Sequence, residues 1–361
     1  MNITVTKPFL PPYADYQKYL ASIWSREWLT NNGPLVNELE LRLRESLGVG
    51  YLSYLSNGTV ALQIAIRALG LEGEIVTTPF SYVATTSSIV WEHCKPVMAD
   101  IDPETLNIDP RRVEEAIGEN TCAILATHVF GNPCDVDALE AIARRRGIPL
   151  IYDAAHAFGT MHKGRSLLSY GDVATCSFHA TKLFHTIEGG AVVTANEALC
   201  RRMELMRNFG HTSATEFGEV GINGKNSEVH AAMGLCNLEH IGAILERRAS
   251  QYRRYTELLQ SLPVQFQRIA PNTVYNHAYF PVIFPSEATM LEVVAALNLH
   301  SVFPRRYFYP SLSTLHYVRQ SGTPVADDIA RRVLCLPMYH TLSGEEIDMI
   351  ARLIARQLSR G

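Results

Sequence analysis

The period of the apolar residues changes repeatedly along the chain, and the changes mark its elements. From Val60 to Leu69 (V-A-L-Q-I-A-I-R-A-L) apolar residues recur at helical spacing, with Gly70 placed to stop the helix. Pro34 can open a helix that the pattern carries to Leu47. Short apolar runs bounded by turn residues read instead as buried strands. They cover Ile75–Thr78, Pro96–Ile101, Ala123–Val129, Ile148–Tyr152, Val173–Phe178 and Ala191–Thr194. Between them, Asp109-Pro110 signals a helix to Ile117, and Asp135 caps a helix closed by Gly147. A further helix is expected near Glu197–Asn208. Strands alternating with helices predict an α/β fold, a mainly parallel sheet covered by helices. Ligands of such sheets gather at the carboxyl ends of the strands. Tyr82, His128, Asp153 and Lys182 all lie at or just beyond such ends.

The flanking segments read differently. The opening stretch, through Leu35, is rich in proline and aromatics (Pro8, Pro11, Pro12, Tyr13, Trp24, Trp28) and reads as an arm and a short helix outside the core. Gly210–Asn226 is a polar, glycine-rich loop ending in G-I-N-G-K-N-S. Ser227 then starts an apolar helix carrying Met233, Leu235 and Leu238. Beyond about Ile244 the chain turns basic (Arg247, Arg248, Arg253, Arg254) and should leave the large domain on a long helix. A strand at Ala278–Phe284, a helix at Ala288–Leu297 and a capping box at Ser343–Glu346 predict a smaller α+β domain. The expected division is 1–243 for the arm and large domain, and 244–361 for the small one.

Composition narrows the function classes without choosing one. The 361 residues are 47% hydrophobic, enough to build a large core. A net charge of −4 gives no reason to expect nucleic acid or a membrane as partner. No apolar run is long enough to span a bilayer, and Met1–Leu10 has no hydrophobic leader. The seven cysteines are scattered without a C-x-x-C pair, which suggests reduced, buried thiols and a cytoplasmic protein.

The candidate chemistry centres on S-F-H-A-T-K-L-F-H-T-I-E-G-G, Ser177 to Gly190. Lys182 stands just past an apolar strand. Burial there would lower the pKa of its ammonium, as a lysine that attacks carbonyls requires. A lone lysine is more commonly a surface group that snorkels. Asp153 ends the strand I-P-L-I-Y, where a carboxylate needs a partner, although D-A-A-H also reads as a plain helix cap. S-N-G-T (Ser56–Thr59) directly precedes a helix. Free N–H groups at such a start can bind phosphate, though an ordinary cap looks the same. A metal site from Asp153, His156 and either His128 or His179 lacks a third ligand at a matching spacing. A lysine nucleophile, a buried aspartate, an aromatic ring and a phosphate cradle are together what pyridoxal phosphate (PLP) requires.

Longer motifs point the same way. Y-D-A-A-H-A-F-G and S-F-H-A-T-K with E-G-G join K-P-F-L-P-P, W-L-T-N-N-G-P, S-N-G-T-V-A-L, T-T-P-F-S-Y-V-A-T, D-I-D-P-E-T and H-V-F-G-N-P-C-D. With these the chain resembles, over nearly its whole length, the PLP-dependent nucleotide-sugar aminotransferases of the DegT/StrS type, within fold type I. The resemblance implies that Lys182 holds the cofactor as an imine and that Asp153 pairs with its pyridine nitrogen. It places His156 beside the ring, Tyr82 stacked on it, and Gly58, Thr59 and Ser177 around the phosphate. It implies a homodimer in which Asn223 reaches the neighbouring subunit's phosphate. Where that family often carries R-M or K-M after this asparagine, the present chain has Lys225-Asn226, with Lys225 a substrate-binding candidate. T-K-P-F-L-P-P, N-G-K-N-S-E and P-R-R-Y-F-Y-P resemble a subgroup that moves an amino group from L-glutamate to dTDP-4-keto-6-deoxyglucose. Arg305, Arg306 and Tyr309 are then candidates for the nucleotide diphosphate. The alternatives are a 3-aminotransferase on a 3-keto-sugar nucleotide, a deoxygenating dehydratase and a silent PLP-binding regulator. Relatives that act as dehydratases replace the lysine with histidine, and Lys182 is retained here.

Overall fold

The predicted apolar strands come together in one seven-stranded sheet in a computed structural model, which describes residues 2–318 and 322–359. Across the sheet the order is Tyr51–Leu55, Gly190–Thr194, Val173–Ser177, Leu150–Asp153, Thr121–Thr127, Glu74–Thr77 and Lys95–Met98. Gly190–Thr194 alone runs against its neighbours. The parallel strands are covered on both faces, which explains their unbroken apolar runs. Leu150–Asp153 and Gly190–Thr194 are buried at every position. Helices Gly58–Ala68 and Val136–Arg146 lie among the covering elements. The second ends at Gly147, whose φ of 65° closes it with a left-handed cap.

Three sequence expectations need correction. Ala123–Val129 is shifted: the strand is Thr121–Thr127, and His128 already belongs to the following turn. Pro96–Ile101 shortens to Lys95–Met98. The opening segment is more than an arm. Its helix, Tyr13–Arg26, has 14 residues and buries Ile23 in the main core. Ahead of it, Ile3–Thr4 pairs in parallel with Val302–Phe303, and Ile3 joins the C-terminal core.

The helix Pro34–Leu47 begins in an unusual way. Its first turn has no side-chain cap of its own. Instead the fully buried carboxylate of Glu228, from the helix Glu228–Glu239, accepts from the amides of Leu35 (3.0 Å) and Val36 (2.9 Å). Gly33 makes room for it, since a Cβ there would lie 2.5 Å from Glu228 Cδ.

The long helix Ile241–Leu259 then carries the chain to a second core. There Gln265–Phe266, Phe280–Ile283 and Val333–Leu336 form a three-stranded antiparallel sheet. Tyr255, Phe280, Phe284, Met290, Ile350 and Ile354 pack around it. The predicted capping box is present: Ser343 Oγ accepts from the Glu346 amide, and Glu346 Oε2 from the Ser343 amide at 2.7 Å. No helix among the described residues is long and apolar enough to cross a membrane.

Candidate active site

One cleft, of about 250 Å³, opens at the carboxyl ends of the parallel strands. Asp153, the last residue of Leu150–Asp153, is buried in its wall. Its Oδ2 accepts from Thr85 Oγ1 at 2.7 Å and its Oδ1 from the Ala155 amide at 3.1 Å. Burial pushes this carboxyl above its ordinary pKa, and the two hydrogen bonds and Lys182 oppose the shift.

Lys182 follows the neighbouring strand, Val173–Ser177. The turn that carries it is held by backbone hydrogen bonds from Lys182 to His179 (2.8 Å), from Thr186 to Phe178 (2.9 Å) and from Phe178 to Gly189 (2.8 Å). Burial lowers the Lys182 ammonium to about 8, although Asp153 pulls in the opposite direction. His156 sits beyond Asp153 on a hydrophobic wall. Its ring is stacked with Phe130 (6.1 Å, 4°) and Phe308 (5.7 Å, 9°) and tilted against Tyr279 at 4.6 Å. Burial holds this imidazole neutral, and its Nδ1 has no hydrogen-bond partner among the described residues.

The opposite side of the cleft is a helix start. Asn57 Oδ1 caps the helix Gly58–Ala68 by accepting from the Val60 amide at 2.9 Å. That leaves the Gly58 and Thr59 amides as first-turn donors without an intrahelical partner. Two strand ends press against this start. A Cβ on Gly58 would lie 2.9 Å from Ser177 Cβ, and one on Gly190 would lie 2.5 Å from the Asn57 carbonyl. Free amides, the dipole of the helix and the Ser177 hydroxyl suit a phosphate. Tyr82, at the cap position of the helix Val83–Trp91, lines the mouth and is 55% exposed, so its ring is available to a planar ligand. An amine with a lowered pKa, a buried carboxylate, an orphaned imidazole nitrogen and an anion cradle form a donor set that fits PLP.

Thus Gly58, Thr59, Tyr82, Asp153, His156, Ser177, Lys182 and Arg305 share the cleft. The other candidates stand outside it. Arg306 turns away to Glu287 Oε1 (2.6 Å) and the Arg331 carbonyl (2.7 Å), and its guanidinium lies 3.5 Å from the centre of the Tyr309 ring. Asn223 accepts from Lys225 Nζ at 3.0 Å, on the loop that leads to Ser227. Asn226, the residue where the family's R-M or K-M pattern breaks, is buried. Its amide donates to Tyr54 Oη (2.9 Å) and to the Glu188 carbonyl (2.8 Å), tying this loop to E-G-G. His128 lies deeper, stacked on Tyr152 at 4.3 Å, with Nδ1 accepting from the Cys134 amide. Among the described residues no group of three or more His, Cys, Asp or Glu is gathered so that it could hold a metal ion.

The cleft also contains His179, considered from sequence only as a metal ligand, and residues that sequence reasoning passed over, including Ser81, Thr127, Glu188, Tyr307 and Phe308. Ser81 lies inside T-T-P-F-S-Y-V-A-T and Phe308 inside P-R-R-Y-F-Y-P. The motifs therefore carried the signal, but without a fold nothing indicated which members faced inward.

Comparison with known proteins agrees with this geometry. Residues 13–355 match the profile of the DegT/DnrJ/EryC1/StrS aminotransferase family. The chain is 42% identical to the dTDP-4-amino-4,6-dideoxy-D-glucose transaminase of Shigella dysenteriae over 98% of both chains. It is 37% identical to the Escherichia coli protein of the same name, again over 98% of both. The crystal structure of DesI in the presence of its TDP-sugar product superimposes with a TM-score of 0.94 at 34% identity, covering 100% of this chain and 94% of that one. With the matched region running from the opening helix into the last one, the chain belongs to the DegT/DnrJ/EryC1/StrS aminotransferase family.

Proposed function

We propose that the protein moves an amino group from L-glutamate to the C4 ketone of dTDP-4-keto-6-deoxy-D-glucose, giving dTDP-4-amino-4,6-dideoxy-D-glucose and 2-oxoglutarate. The observation that carries the reaction class is the shared cleft, which sets a lysine with a depressed pKa and a buried aspartate beside an open helix start. The choice of sugar rests on the likeness to the two dTDP-sugar transaminases.

Bound PLP supplies an electron sink that stabilises negative charge at the carbon losing its proton. The remaining work belongs to the chain. Gly58, Thr59 and Ser177 hold the phosphate, and Tyr82 covers the ring. Asp153, kept as a carboxylate, holds a proton on the ring nitrogen. Lys182 would hold the cofactor through its aldehyde, and its free amine would move the proton at the reacting carbon as general base and acid. Because the two half-reactions are the same steps in opposite directions, one lysine serves both. Arg305, at the cleft wall, meets the nucleotide diphosphate or the donor carboxylate. The working form is a homodimer in which Asn223 completes the phosphate site of the neighbouring subunit. Its position outside its own chain's cleft supports this reading, as do the exposed Phe217, Val220 and Ile222 on the same loop.

The test is incubation of the PLP-loaded protein with glutamate and a panel of 4-keto- and 3-keto-sugar nucleotides, followed by mass spectrometry and product NMR. Amination at C4 of the dTDP sugar is expected. Amination of a 3-keto sugar only would reassign the substrate, and loss of a hydroxyl without gain of nitrogen would reject amino transfer.

A further inference from the structure

Beside Asp153, along the wall of the cleft, runs a chain of three buried hydroxyls. Thr85 Oγ1 donates to Asp153 Oδ2 at 2.7 Å. Ser81 Oγ lies 2.7 Å from Thr85 Oγ1, and Thr127 Oγ1 donates to Ser81 Oγ at 3.1 Å. Each hydroxyl has a single proton. Thr85 commits its proton to the carboxylate, so it accepts from Ser81. Ser81 has then committed its own and accepts from Thr127. All three O–H dipoles therefore point towards Asp153. They arrive from separate elements. Thr127 ends the strand Thr121–Thr127, Ser81 lies in the turn after Glu74–Thr77, and Thr85 is in the first turn of Val83–Trp91. None of the four residues is more than 5% exposed. Hydrogen bonds aligned in so dry a setting reinforce one another.

We propose that Thr85, Ser81 and Thr127 are positioning residues: a directional hydroxyl relay that keeps Asp153 ionised and oriented, so that the shared proton stays on the cofactor's ring nitrogen. The proposal rests on the reading of this cleft as a PLP site. Burial by itself works against that task, because it raises the pKa of Asp153. The Thr85 hydrogen bond is the largest influence in the other direction, ahead of the Ala155 amide and Lys182. The other titratable groups around Asp153 add no compensating charge. Cys176, on the adjacent strand, is a neutral thiol pushed up to about 12, and His156 is neutral. Among the described residues Lys182 is the one cation acting on Asp153, and in the resting enzyme its nitrogen would be committed to the cofactor.

The test uses full-length protein loaded with PLP labelled with ¹⁵N in the ring, and follows the nitrogen's chemical shift against pH. Thr85→Val removes the hydroxyl at nearly constant shape. The carboxylate becomes more basic, the shared proton moves towards Asp153, and the ratio of ring-protonated to Asp153-protonated forms falls about tenfold, read below the midpoint as a ¹⁵N shift displaced towards that of the unprotonated ring. Thr85→Ser should restore the wild-type ¹⁵N shift. Ser81→Ala, one step further back, should move it less and in the same direction. In the glutamate half-reaction, kcat falls in Thr85→Val while the KM for glutamate holds. An unchanged ¹⁵N shift below the midpoint in both Thr85→Val and Ser81→Ala overturns the relay and leaves the active-site reading intact. Should Thr85→Val fail a circular-dichroism check of folding, Ser81→Ala decides alone. A wild-type protein that does not capture PLP at Lys182 overturns the relay together with the site on which it rests.

Discussion

At the scale of single residues, the geometry makes a statement about pH. A lysine attacks an aldehyde only as the free amine. An ordinary lysine, at about 10.4, offers almost none at neutral pH. With Lys182 lowered to about 8, roughly a tenth of the apoprotein is ready at pH 7. The rate of covalent PLP uptake should thus climb about tenfold per pH unit below 8 and level off above it. Stopped-flow absorbance on apoprotein reads this directly, and a midpoint near 10 would mean that Lys182 is not desolvated. Lys182→Ala should still bind PLP but give no covalent product after borohydride reduction and peptide mapping. Asp153→Asn separates charge from shape. The amide keeps the size of the side chain but cannot hold the ring proton by charge, so PLP stays bound and amino transfer falls at least about a hundredfold. A near-normal rate would reduce Asp153 to a structural residue.

At the scale of elements, helix starts and strand ends were read unequally well. Strands buried on both faces announce themselves by unbroken apolar runs, and the parallel part of the sheet was legible for that reason. Tyr51–Leu55 was missed because Y-L-S-Y-L is short and interrupted by a serine. Val83–Trp91 was missed because V-A-T-T-S-S-I-V-W is poor in helix formers, so tertiary packing and not local propensity makes that helix. The oversight mattered, because this helix carries Thr85 to Asp153. Lys182, Asp153 and the S-N-G-T start could be read as candidates because each sits next to a recognisable element. The aromatic wall of Phe130, Tyr279 and Phe308 could not, since its members are far apart in sequence and meet only in the fold. The start of Pro34–Leu47 was likewise hidden, because its cap, Glu228, is almost two hundred residues away. Glu228→Ala leaves two buried amides without an acceptor and should cost about 2–4 kcal/mol, read as a lower thermal midpoint. Glu228→Gln keeps one acceptor and should fall between. A midpoint equal to wild type in the alanine variant would show that water replaces the carboxylate.

At the scale of the whole molecule, the shared-site proposal predicts complementation. Lys182→Ala lacks the nucleophile, and Asn223→Asp sets a carboxylate against a phosphate, so each pure variant should be close to inactive. In a mixed dimer one site receives both defects and the other receives neither. The mixture should therefore regain turnover that neither parent shows, once subunit exchange is verified with differential tags. No recovery after verified exchange would make Asn223 a local residue. The pairing of Ile3–Thr4 with Val302–Phe303 has a consequence of another kind, in time. Residue 3 is made some 300 residues ahead of its partner strand. At roughly 5–20 residues per second, the opening strand waits on the order of 15–60 seconds for the segment it must join. The central sheet can form during that interval from strands already made. Docking of Ile3–Thr4, which brings Ile3 into the C-terminal core, must wait until Val302–Phe303 has left the ribosome, although these two residues leave it long before.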